Sequence, residues 1–113
     1  MATDCLFCRI VRKEIPAQIV AEDDHCLAFR DINPQAPTHM LIIPREHIAS
    51  LNDADDAAMI GRLHLFAVRL AMSEGLAARG YRTVINTNAD AGQTVFHVHL
   101  HLLGGRKLGW PPG

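Results

Sequence analysis

The chain has 113 residues, 49% of them hydrophobic and 20% charged, which is the composition of one folded globular domain over residues 1–113. Lys plus Arg number 11 against 12 Asp plus Glu, a formal net charge of -1 that lacks the basic excess of a nucleic-acid binder or of a protein drawn to an anionic membrane. No apolar run reaches the length of a membrane span, and "MATDCLFCRI" lacks the basic and apolar regions of a signal peptide. Three cysteines, an odd number, suit reduced thiols or a metal site better than a disulfide framework, so the expected compartment is the cytoplasm.

Along the chain, Cys5 to Lys13 carries apolar Leu6, Phe7, Ile10 and Val11, the spacing of a short amphipathic helix with Asp4 as its cap. Pro16 stops that helix. "AQIVAED" and "HCLAFRDI" read as two strands joined by an acidic turn at Asp23 and Asp24, and "NPQAP" as a loop. Thr38 to Pro44 is an apolar, partly β-branched run expected to be a buried strand. Asn52 or Asp53 caps a long helix predicted to run to about Arg79, with Met59, Leu63, Phe66, Ala67 and Leu70 as its inner stripe and Gly80 just past its end. "YRTVINT" and "VFHVHLHLL" are the last two strands, with "NADAGQ" as the hairpin loop between them. Short loops between successive strands favour antiparallel pairing, so the predicted class is α+β.

The stretch "FHVHLHLLGG" places three of the seven histidines at two-residue spacing. A strand sends alternate side chains to opposite faces. His97, His99 and His101 then share one face, while Val98, Leu100 and Leu102 point into the core. Solubility alone does not call for a row of imidazoles, since Thr or Lys serves that end equally well; metal ligation is one use of such a row. Neutral imidazole is also a nucleophile, and its neighbours can hold charge on a phosphoryl oxygen. "AGQT", Ala91 to Thr94, precedes the row: Gly92 permits close backbone approach, and Gln93 and Thr94 offer an amide and a hydroxyl. Alone it is an ordinary turn; before the histidines it reads as a phosphate site.

"HVHLHLL" resembles the His-x-His-x-His-x-x signature of the histidine triad (HIT) superfamily. "KEIPAQIVAEDDHCLAFRDINPQAPTHMLIIPREHI" and the terminal "LGGRKLGWPPG" are similar to its Hint branch, the nucleoside phosphoramidate hydrolases, and the likeness extends from about Asp4 to Gly113. The resemblance implies a five-stranded antiparallel sheet with one short and one long helix, and a homodimer with a continuous ten-stranded sheet. It implies P–N cleavage at the α-phosphate of purine nucleoside phosphoramidates, with AMP or GMP as product. His99 is then the nucleophile that becomes nucleotidylated, and His101 holds the phosphate. Gly92, Gln93 and Thr94 line the phosphate with Asn86 nearby, and the Thr94 hydroxyl, where many relatives have Ser, helps protonate the leaving amine. His39 supports the triad, and Asp31 accepts from the ribose hydroxyls. Phe7, Ile10, Phe29, Ile32 and Leu41 form the purine slot, and Trp110 reaches the partner subunit's site. No organic cofactor and no obligatory magnesium are implied. Without the resemblance, Asp31 reads as a turn residue, Phe29, Ile32 and Leu41 as core, and Trp110 as tail packing. Two other functions fit the same residues: a dinucleoside polyphosphate hydrolase or nucleotidylyl transferase, and a nucleotide-binding regulatory module.

"CLFC" is a C-x-x-C pair, Cys5 and Cys8, and His47 and His97 can complete a closed Cys2His2 zinc site. Some bacterial members of the superfamily carry the same set, whereas the animal Hint proteins lack the cysteine pair. The alternatives are two reduced cysteines packed as small hydrophobes, or a redox pair, for which the surrounding βαβ pattern is missing. Such a zinc would be structural, pinning the N-terminal segment beside the triad. Cys26 reads as core, and His25 and His64 as solvent-facing.

Overall fold

The computed structural model describes residues 5–113. Its elements are α1 (Leu6–Val11), β1 (Ile19–Glu22), β2 (Cys26–Arg30), β3 (Thr38–Pro44), α2 (Ala57–Ser73), β4 (Tyr81–Val84), α3 (Asn88–Ala91) and β5 (Leu100–Gly104). The five strands form one antiparallel sheet in the order β1-β2-β3-β5-β4. After β3 the chain crosses over through α2 to the far edge, lays down β4, and returns to insert β5 between β3 and β4. The α+β class and the five-stranded antiparallel sheet are as the sequence predicted.

Period-two alternation gives the sheet two different apolar faces. Cys26 and Ala28 of β2, Met40 and Ile42 of β3, and Leu100 and Leu102 of β5 pack with Met59, Leu63, Phe66, Ala67 and Leu70 of α2. The expected α2 stripe is therefore buried in full, joined by Ala71. Leu27, Phe29, Leu41 and Ile43 point the other way and meet Phe7 and Ile10 of α1. α1 is six residues long and covers only part of that second face, which leaves the rest open for a site.

Several boundaries differ from expectation for local reasons. The α1 cap is Cys5, whose Sγ accepts from the Cys8 N–H at 3.3 Å; Asp4 lies outside the described residues. α2 starts later than Asn52 or Asp53 because Ser50 caps a separate 3-10 turn, Leu51–Asp53, and Ala54 is extended; Asp56 is the true cap. It ends at Ser73, before Gly75 at φ 74°, rather than near Arg79. The "NADAGQ" segment is a helical turn, α3, closed by Gly92 at φ 92°, and is not a hairpin loop. The last strand begins at Leu100, so His97 and His99 lie outside the sheet ladder. There the Val98 N–H donates to the Ile48 carbonyl at 2.7 Å instead. His25 and His64 are exposed and Cys26 is buried, as expected.

Candidate active site

The alternation of the histidine row persists through the segment that precedes the ladder. Val98, Leu100 and Leu102 are buried under α2, and the three imidazoles face the α1 side. His99 and His101 line a cavity of about 400 Å³ walled by Phe7 and Ile10 of α1, Phe29 of β2 and Leu41 of β3. Asp31, Ile32 and Thr94 lie at its margin. Ile32 is fully exposed, so it stands as a rim rather than a core residue. Ile15, Pro16 and Val95 also line the cavity. The sequence reading missed them because their apolar character looked like strand, turn or linker packing.

Proton positions follow from donors that have no choice. A backbone N–H can only donate. The Gln35 N–H donates to His39 Nδ1 at 3.0 Å, so the neutral His39 ring carries its proton on Nε2. That Nε2–H faces His101 Nδ1 at 2.9 Å, leaving the His101 proton on Nε2. His39 and His101 are diagonal neighbours on β3 and β5, since His101 pairs with Leu41 and His39 with Leu103. Asp31 Oδ2 lies 3.4 Å from His39 Nε2, and Asp31 Oδ1 accepts from the Asn33 N–H at 2.8 Å. His39 and His101 are thus hydrogen-bonded to each other, and the Asp31 carboxylate lies beside that pair. His99 is set by a carbonyl, which can only accept: its Nδ1–H donates to the His97 oxygen at 2.8 Å. Nε2 of His99 is left with a free lone pair.

Burial keeps these rings neutral. Desolvation holds His99 and His39 below the usual histidine value, with Asp31 opposing it in both cases. Desolvation, then the neighbouring His99 and His39, pushes His101 down to about 4. The site therefore pairs a ring that presents a lone pair, His99, with one that presents an N–H, His101, in an apolar slot.

The loop before the row is braced internally. Gln93 Nε2 donates to the Ala49 carbonyl at 2.8 Å and the Val95 carbonyl at 3.2 Å, and its Oε1 accepts from the Asn88 N–H. This corrects the expectation of a free Gln93 amide: the side chain shapes the loop because three backbone groups already satisfy it. Thr94 is exposed at the cavity, whereas Gly92 and Asn86 lie outside its lining. Trp110 is 83% exposed in the tail and does not line the cavity of its own chain.

A second cluster lies behind the first. Cys5 and Cys8 Sγ with His47 and His97 Nδ1 all fall within 4.8 Å of one another. Cys8 Sγ is 3.3 Å from His47 Nδ1 and 3.5 Å from His97 Nδ1, and Cys5 Sγ is 3.4 Å from His97 Nδ1. A tetrahedron with Zn–S and Zn–N arms of about 2.3 and 2.0–2.1 Å has S–N edges of about 3.5 Å, which these separations match. The His97 Nε2–H donates to the Pro44 carbonyl at 2.8 Å, which turns the Nδ1 lone pair toward the cysteines, the usual outer support of a ligating histidine. Burial pushes His97 down to about 4 and the Cys8 thiol up to about 11, so Cys8 lacks the lowered pKa of a redox thiol.

The fold and this pairing of a buried imidazole row with an apolar slot define a histidine-triad domain. The HIT domain family model matches residues 12–108, and the chain belongs to that family. It is 51% identical to the purine nucleoside phosphoramidase of Escherichia coli, over 96% of this chain and 93% of that protein. An uncharacterized HIT-like protein of Synechococcus elongatus is 56% identical over the full length of both. The crystal structure of a HIT family hydrolase from Legionella pneumophila superposes with a TM-score of 0.95 at 55% identity, covering 97% of this chain and all of that one.

Proposed function

We propose that this chain is a hydrolase that cleaves the P–N bond of purine nucleoside phosphoramidates through a nucleotidyl-His99 intermediate. The observation that carries this reading is the His99 tautomer. Its Nδ1–H is committed to the His97 carbonyl, so Nε2 presents a lone pair at the cavity, and burial keeps the ring unprotonated. That is the state a nucleophilic imidazole needs. The 51% identity with a purine nucleoside phosphoramidase supports the substrate class.

In the first step His99 Nε2 bonds to the α-phosphorus as the P–N bond to the amine breaks. The amine leaves neutral after taking a proton relayed from water through the Thr94 hydroxyl at the cavity, which is reprotonated as it gives one up. The His101 Nε2–H, oriented through His39 and the Gln35 amide, donates to a phosphoryl oxygen. Water then adds to phosphorus and gives up a proton to solvent, the P–N bond to His99 breaks to leave its ring neutral again, and a nucleoside monophosphate such as AMP or GMP is released. Phe7, Ile10, Phe29, Leu41 and Ile32 hold the base by apolar contact, and Asp31 accepts from the ribose hydroxyls. Gly92, Gln93 and Asn86 shape the phosphate loop. The test is turnover of adenosine 5'-phosphoramidate against diadenosine polyphosphate, with mass spectrometry of the quenched protein. Faster polyphosphate cleavage, or product without nucleotide on His99, overturns the reading.

Cys5, Cys8, His47 and His97 are the residues that would hold a zinc ion, and four protein donors leave no open position for substrate or water. The ion would supply a structural cross-link between α1, the segment between β3 and α2, and the segment before β5. Metal content of protein purified without added zinc tests this, and a value near zero overturns it.

The working unit is a homodimer with a ten-stranded sheet. β4 ends the sheet with an open edge, and Leu65 and Met72, seven positions apart on the outer side of α2, are exposed. Trp110, exposed in its own chain, is placed by this reading at the partner's site. Light scattering that gives a monomer mass overturns it. Three free cysteines suit the reducing cytoplasm, and among the described residues no helix is long and apolar enough to cross a membrane.

A further inference from the structure

His97 belongs to both clusters at once. Its ring is fully buried, with Nδ1 between the two cysteine sulfurs, and its own carbonyl receives the His99 Nδ1–H. α1 makes a second connection. Cys5 caps this helix and Cys8 stands in its first turn, while Phe7 and Ile10 on the same six residues wall the slot. The Phe7 ring meets His99 edge-on at 5.1 Å between centroids. A helix that short holds little order of its own. The His97 segment, for its part, lies outside the sheet ladder and is held by contacts to other segments: the Val98 N–H to Ile48, the His97 Nε2–H to Pro44 and the buried Val98 side chain. Both the slot wall and the carrier of the nucleophile are thus weakly self-supporting segments that converge on four metal-ligating side chains.

We infer that the Cys5–Cys8–His47–His97 cluster positions the reaction centre, so that metal occupancy and nucleotide binding are thermodynamically coupled. The inference rests on the metal reading given above and extends it. None of the four lines the slot, so they are positioning residues. Freeing α1 loosens Phe7 and Ile10 against the base and raises KM. Freeing His97 removes the fixed acceptor of His99 Nδ1, lets the ring turn or take its other tautomer, and lowers kcat. Coupling of this kind is reciprocal: the ion strengthens nucleotide binding by the same factor by which the nucleotide strengthens ion binding.

The experiment titrates AMP calorimetrically into zinc-loaded protein and into protein stripped with a chelator. It then measures zinc affinity by chelator competition with and without AMP. The expected result is AMP binding weaker by about fivefold or more in the stripped protein, restoration on adding zinc, and an equal factor in the zinc affinity. Cys5→Ser is expected to raise KM and lower kcat together. If the stripped protein unfolds, the cadmium-loaded protein decides: its cadmium NMR line is expected to move when AMP binds. Stoichiometric metal binding with equal AMP affinity in both forms, or a cadmium line that AMP leaves in place, overturns the coupling and leaves the metal site standing. Protein that binds no stoichiometric metal overturns both.

Discussion

The two faces of the sheet are built from the same strands and do opposite things. On the α2 face, Met40, Ile42, Leu63, Leu100 and Leu102 are completely buried in one apolar cluster, with the Cys26 thiol among them. On the α1 face, alternate residues of the same β3 and β5 are His39, Leu41 and His101, beside a cavity and a cluster of cysteines and histidines. Leu41 and Leu102 show that neither strand is polar in itself; what differs is the cover. A seventeen-residue helix closes one face, and a six-residue helix leaves the other partly open. The closed face supplies rigidity through apolar burial, and the open face spends it on polar groups held at fixed geometry.

The comparison can be broken first on the open face. His99→Ala is expected to reduce kcat for adenosine 5'-phosphoramidate by at least about a thousandfold, with a melting curve close to that of the parent protein. Equal loss of activity and fold would mean that the two faces are not separable. Leu63→Ala attacks the closed face. It should cost about 2–5 kcal/mol in a denaturant titration, while KM of the folded fraction stays unchanged.

Smaller changes sharpen the contrast. His39→Phe removes the donor that fixes His101, and the loss of one oriented hydrogen bond predicts a drop in kcat of about tenfold with little change in KM. Acidification separates the faces without mutation. His101 is lowered from 6.5 to about 4, chiefly by burial, and His39 is lowered in the same way. Between those pH values the unfolded chain binds more protons than the native one, so stability rises with pH across that window and levels off above it. Denaturant midpoints measured from pH 4 to 7 check the sign, and the acid limb of kcat/KM should lie below 6.5. Gly92→Ala is the mildest change. A Cβ there meets nothing within 4 Å, so the cost is that of φ 92° alone, about 1–2 kcal/mol by thermal melting.

Much of this site could be read in one dimension, and the exceptions are specific. Thr38–Pro44 was legible as a strand because the unbroken apolar run Met40 to Pro44, with two adjacent β-branched isoleucines, has few other uses. The α2 start was not, because "SLNDADD" offers Ser50, Asn52, Asp53 and Asp56 as caps of similar local merit, and burial of Met59 selects the last. β5 is shorter than its pattern: the HVHLHLL alternation continues past the ladder, since Val98 finds its hydrogen-bond partner in Ile48 rather than in a strand. Gln93 looked like a ligand donor because nothing in its neighbours reveals that the Ala49 carbonyl will arrive beside it.

The sequence alone determined which side chains share a face. A period of two assigns His97, His99 and His101 to one side and Val98, Leu100 and Leu102 to the other, and a period near 3.6 assigns the α2 stripe, because both follow from backbone geometry within a few residues. Only the tertiary structure decided which distant groups meet. It brought Cys5 to His97 across 92 positions and His39 to His101 across 62. It also placed β5 between β3 and β4. Such contacts depend on how whole elements pack, and local spacing does not encode that choice.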